Sequence, residues 1–124
     1  MAQSTSLQLA WLDANIHSDI NRELWTRIRE IYPKAMEFDD QDEYLRFLGP
    51  GVDDPRRFIL IVSGVIAEKL VPDIQQRENI LSIYVYCANI SKHEGWSRQY
   101  EKVTVLTSAE EVLRGIKSDQ KRFR

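Results

Sequence analysis

Phe58-Ile59-Leu60-Ile61-Val62, closed by Ser63-Gly64, is the stretch from which the fold of this chain can be read. Five apolar residues in succession, rich in β-branched and aromatic side chains and bounded by turn residues, are too short for a helix. They have the composition of a strand. A strand facing solvent on one side alternates apolar with polar, and this one does not, so both of its faces are buried. That pattern belongs to parallel sheets covered by helices on both sides. Ser63-Gly64 then predicts a tight turn into a following helix.

Working towards the N-terminus, Asp53-Asp54-Pro55 supplies the turn before this strand, and Gly49-Pro50-Gly51 breaks a preceding helix. That helix starts in the acidic run Asp39-Asp40-Gln41-Asp42-Glu43, where carboxylates favour the helix dipole, and carries Tyr44, Leu45 and Leu48. Ala35 to Phe38 reads as a brief strand. Ile20, Leu24, Ile28 and Ile31 recur at helical spacing behind a Ser18 or Asp19 cap, and Pro33 ends that helix. Trp11, Trp25 and Trp96 read most simply as core or half-core residues, with Trp25, beside the stripe, as the alternative candidate for an exposed contact. Leu7 to Leu12 is the first strand, and residues 1–6 read as a disordered leader.

Towards the C-terminus, Ile66, Leu70 and Ile74 mark a helix in which Pro72 predicts a shortening or a kink. Ile80 to Cys87 is the next strand, Ser91 to Tyr100 a short helix and Val103 to Leu106 the last strand. Ser108 and Glu111 form a capping box for a final helix with Val112, Leu113 and Ile116. The order of elements specifies an α/β three-layer sandwich around a five-stranded parallel sheet, with the flavodoxin-like order 2-1-3-4-5. A single domain over 7–118 is expected, followed by a basic tail or linker over 119–124.

Composition sets outer bounds on function. The 124 residues carry 17 Lys+Arg against 19 Asp+Glu, a formal charge of −2, which disfavours general nucleic-acid binding through phosphate contacts. No apolar run approaches the roughly 20 residues of a spanning helix, so no membrane role is expected. Cys87 is the single cysteine, which excludes an internal disulfide or a multi-cysteine zinc site and suits a reducing, cytoplasmic setting.

In an open α/β sheet the functional crevice lies beyond the carboxyl ends of the strands. The residues this rule selects are Asp13, Asn15, Ser63, Gly64 and Asn89, a candidate ligand-binding set for a nucleotide or other small molecule. Each has a simpler reading: Asp13 as a loop-capping carboxylate, Ser63-Gly64 as a tight turn lacking the further glycines of a dinucleotide or P-loop fingerprint. Cys87 with His93 or His17 is a weak nucleophile–base pairing, since a catalytic thiol needs a lowered pKa and a placed partner. The spacing of His17 and His93 matches no established metal site, and no metal is expected. Trp96, Arg98 and Tyr100 have the chemistry of interface anchors and make the helix after the fourth strand a candidate surface for a protein partner or self-association.

The pattern of elements resembles the receiver domains of two-component signalling. The resemblance places Asp13 at one acidic position, but Ser63 at the phosphoacceptor, Cys87 or Ala88 at the hydroxyl position and Thr107 at the lysine. It therefore implies a receiver fold without phosphotransfer. The stretch from Cys87 through Trp96 to Glu101 resembles TIR domains, whose enzymatic members cleave NAD with a helical Glu. That resemblance implies Glu101 or, by topology, Glu68 as a catalytic carboxylate and NAD as substrate or cofactor in an alternative, enzymatic reading.

A third resemblance runs through Trp11-Leu12-Asp13, Ile61-Val62-Ser63-Gly64, Leu70-Val71-Pro72, Ile83 to Cys87, His93-Glu94-Gly95-Trp96, Lys102-Val103 and Ser118-Asp119-Gln120-Lys121. It is to an N-terminal domain of large invertebrate multidomain proteins that also carry ADP-ribosyltransferase-like or tetratricopeptide modules. Together these resemblances imply a non-catalytic signalling or adaptor module without a cofactor of its own.

Overall fold

The computed structural model describes residues 7–51 and 53–123; the expected leader over 1–6 lies outside the described residues. The chain runs β1 (Leu7–Leu12), α1 (Asp19–Ile31), β2 (Met36–Phe38), α2 (Gln41–Leu48), β3 (Arg57–Ser63), α3 (Gly64–Ile74), β4 (Ile80–Tyr86), α4 (Ile90–Ser97), β5 (Val103–Leu106) and α5 (Ala109–Phe123). The five strands form one sheet in the order β2-β1-β3-β4-β5, and every pairing is parallel. This is the flavodoxin-like three-layer sandwich that the sequence predicts.

β3 sits at the centre because it can bury both faces. Phe58, Leu60 and Val62 point into one core with Ala10 and Leu12 of β1, Ile83 and Val85 of β4, and Ala67, Leu70, Val71 and Ile74 of α3, over which Tyr44 and Leu48 of α2 close. Ile59 and Ile61 point to the other side. There Leu9 and Trp11 meet Leu24, Trp25 and Ile28 of α1 and Val112, Leu113 and Ile116 of α5. In register, Leu12, Val62 and Val85 lie across from one another, so the strands end nearly level and the chain leaves them on one edge.

Four local expectations need correction. Ile20 is 78% exposed and is not among the buried residues of α1, which are Leu24, Trp25 and Ile28. Trp25 is buried, its ring 6.3 Å from that of Trp11, and offers no exposed contact. Pro72 does not shorten α3, which runs on to Ile74. Glu68 and Pro72 both face solvent, where water can serve the carbonyl that the proline leaves without a donor.

The fourth correction concerns the basic tail. α5 continues to Phe123, and Asp119 is buried. The Tyr84 hydroxyl donates to the Asp119 carboxylate and also lies 3.1 Å from the Gly115 carbonyl. Burial, then the Asp119 carboxylate, pushes the Tyr84 phenol well above its ordinary range, so it remains a donor. Gly115 makes the approach possible, since a Cβ there would lie 2.8 Å from the Tyr84 ring. The last two turns are thus part of the fold, held by a polar contact that charge patterning does not reveal.

The edge of the sheet where the strands begin is tied shut. Arg56 grips the Asp54 carboxylate, donates to the Phe47 and Leu48 carbonyls, and lies over the Phe58 ring at 4.9 Å. Lys102 donates to the carbonyls of Arg77 and Ile80, at 3.0 and 2.7 Å. Removal of residues 118–124 is expected to lower stability by about 1–3 kcal/mol, because it takes the charged acceptor Asp119 from the buried Tyr84 hydroxyl and leaves it only the Gly115 carbonyl. Urea unfolding of the truncated chain, with Tyr84→Phe alongside, measures it; an unchanged midpoint would show the segment to be a linker.

Candidate functional site at the carboxyl ends of the strands

Three adjacent strands deliver their ends to one place. β1 hands over to Asp13-Ala14-Asn15, β3 to Ser63-Gly64 and β4 to Cys87-Ala88-Asn89, and these loops bound an open cleft of about 440 Å3. All five residues selected from the sequence, Asp13, Asn15, Ser63, Gly64 and Asn89, line it. Its size lies within the range of about 300–1,000 Å3 usual for small-molecule sites.

The two sides of the cleft differ in charge. On the β1 side, Asp13 is 7% exposed and its Oδ1 accepts the Asn15 N–H at 2.8 Å. Burial pushes its carboxyl above the ordinary value of 3.8, with the Asn15 N–H pulling the other way. Trp11 Nε1 lies buried without a hydrogen bond of good geometry, yet its N–H also favours the carboxylate. The Asn21 side-chain amide donates to the Asn15 carbonyl and so fastens this loop to α1.

On the opposite side stand the first turns of α3 and α4. Ser63 is the N-cap of α3 and Asn89 that of α4, yet neither side chain caps its helix, and neither first turn contains an acid. α1, α2 and α5 differ on both counts, being capped by Ser18, Asp40 and Ser108 with acids in the first turn. The Asn89 carboxamide oxygen instead accepts from the Ser91 hydroxyl at 2.7 Å. Two helix N-termini with free N–H groups, each carrying partial positive charge, therefore open on the same cleft.

His93 joins them and was not among the ligand-binding residues selected from the sequence. It is 3% exposed and lines the cleft, with Nδ1 accepting the Trp96 indole N–H at 3.0 Å. Indole only donates, so this bond places the imidazole proton on Nε2. Nε2 faces Gly64 and has no hydrogen-bond partner among the described residues. A Cβ at residue 64 would lie 2.4 Å from Nε2, so glycine is what lets the imidazole reach the start of α3. The sequence holds the signal only as His93-x-x-Trp96, a spacing that puts both side chains on one face of a helix.

The remaining candidates lie elsewhere. Glu68 and Glu101 are exposed and do not line the cleft. Trp96 and Tyr100 are half-buried against the core, their rings 6.4 Å apart, and of the proposed anchors only Arg98 is exposed. Cys87 lines the cleft, but desolvation raises its thiol pKa, opposite to what a nucleophile needs, and Trp96 occupies His93 Nδ1. His17 is exposed and lies 3.6 Å from Asp39. Among the described residues no three His, Cys, Asp or Glu side chains are placed to hold a metal ion, and no helix is long and apolar enough to cross a membrane. Comparison with protein-family models, curated proteins and solved structures finds no match to this chain.

Two outcomes test this geometry. Gly64→Ala is expected to displace the imidazole and lower stability by about 1–3 kcal/mol, the usual cost of overpacking, measured by urea unfolding. An unchanged stability would mean that His93 does not need the glycine. Because the folded pKa of Asp13 is raised, its proton contributes stability that is fully present below 3.8 and lost as pH rises through the folded value. Asp13→Asn keeps an acceptor for Asn15 and removes the desolvated charge. It should gain stability over the parent chain at pH 7 and lose that gain near pH 4, which unfolding midpoints at the two pH values will read.

Proposed function

We propose that this chain is a non-catalytic signalling or adaptor domain of receiver-like or TIR-like kind, acting by docking a protein surface, with a second copy of itself as the first partner to test. The observation that carries this reading is the chemistry at the strand ends. The position of a phosphoacceptor is taken by Ser63, the N-cap of α3, and the position of the lysine by the exposed Thr107. The carboxylates of the enzymatic alternative, Glu68 and Glu101, face solvent away from the cleft. Asp13 is the one carboxylate among the described residues lining the cleft, where phosphotransfer uses an acidic pair to hold its cation.

The surface available for docking is the same edge. Ile20 and Val65 are 78% and 76% exposed, and each stands in the first turn of a helix that rises from a strand end, α1 after β1 and α3 after β3. β1 and β3 are neighbours, so the two apolar side chains flank the mouth of the cleft from opposite layers. Burying two aliphatic side chains of this size favours association by about 1.5–3 kcal/mol each.

Light scattering over a concentration series, with NAD and magnesium present and the nucleotide followed by chromatography, tests the reading. Reversible self-association that Ile20→Lys with Val65→Lys weakens at least tenfold, with NAD unchanged, is the expected result. NAD cleavage abolished by Glu68→Ala or Glu101→Ala would replace this reading with the enzymatic one.

A further inference from the structure

The charge asymmetry of the strand-end cleft carries a second function that does not depend on protein docking. We propose that the cleft binds a phosphorylated sugar, free or as part of a nucleotide, with the phosphate between the N-termini of α3 and α4 and the sugar hydroxyls towards Asp13.

Three observations converge on the phosphate end. The first-turn N–H groups of α3 at Val65 and Ile66, and those of α4 at Ile90, Ser91 and Lys92, have no helical acceptor and no side-chain cap; the Gly64 N–H belongs to the β3–β4 ladder. Such groups are suited to phosphate oxygens. His93, nine-tenths buried and more, brings an unpartnered Nε2–H donor to the same wall, held there by Trp96 and admitted by Gly64. Lys92, exposed at the rim, adds a full positive charge. An Nε2–H on the cleft wall, on a side chain otherwise held in the core, is placed to meet an acceptor on a ligand.

The far end selects the rest of the molecule. Asp13 would repel a second anion, but a carboxylate accepts several hydrogen bonds and suits the paired hydroxyls of a sugar. A cleft with donors and a cation at one end and a buried acceptor at the other matches a ligand that is anionic at one end and rich in hydroxyls at the other. Inorganic phosphate satisfies only half of it.

The test is a titration of 15N-labelled protein with ribose 5-phosphate, AMP, ribose and inorganic phosphate, with sodium chloride at matched ionic strength as control. Saturable shifts of the Val65, Ile66 and Ile90 amides with ribose 5-phosphate, at least tenfold tighter than with phosphate and absent with ribose, are expected. AMP binding more tightly than ribose 5-phosphate would identify the nucleotide as the source, and equal binding the sugar phosphate; both support the site. Ser63→Asp and Asn89→Asp place a carboxylate at each N-cap, where it improves the helix while occupying the anion's position. Each should keep or raise thermal stability and lose at least tenfold in affinity. Equal shifts from chloride, binding of ribose as tight as its phosphate, or full affinity in both variants would overturn the proposal. None of these readouts depends on self-association, so failure of the docking reading remains separate.

Discussion

Everything in this molecule depends on hiding β3 from water on both sides at once. Phe58, Ile59, Leu60, Ile61 and Val62 are each 1% exposed or less, and no single helical layer can accomplish that. Two layers are needed, and parallel neighbours are needed on both edges to satisfy the strand's backbone. β1 and β4 supply those neighbours, α2, α3 and α4 cover one face, and α1 and α5 the other. Because β1, β3 and β4 run parallel, the loops that follow them leave the sheet at one edge.

The two edges of the sheet have been treated differently. Where the strands begin, Arg56, Arg77 and Lys102 bond to carbonyls of the neighbouring loops and close that edge with cations whose charge is largely spent on the protein itself. Lys102 shows the cost, its ammonium pKa lowered by desolvation. Where the strands end, the groups are left available: two uncapped helix starts, an imidazole N–H, and a buried carboxylate. The proposed binding site lies at the edge where side-chain polar groups are least consumed by the fold.

How much of this was legible beforehand varied with the range of the interaction. The five strands, the five helices and the choice of Asp13, Asn15, Ser63, Gly64 and Asn89 could be read because each rests on local periodicity or on the general rule for strand ends. Ile20 shows the limit of periodicity, since spacing assigns a side chain to a stripe without saying which residues of the stripe are buried. Asp119 shows another. In sequence it sits among basic residues and looks solvated, and only Tyr84, 35 residues away, makes it a core group. His93 was hidden for the same reason: its partner Trp96 is local, but the glycine it rests on is 29 positions earlier.

The sequence by itself determined the layer architecture, because a continuous apolar strand between helical periods has one economical burial, and it determined which loops share an edge. Tertiary structure alone decided what that edge offers. The proton on His93 Nε2, the close approach over Gly64, the raised Asp13 carboxyl and the two free helix starts arise from groups distant in the chain meeting at contact distance. Hydrogen bonding and desolvation act over a few ångströms in space, and no pattern along the chain encodes that separation directly.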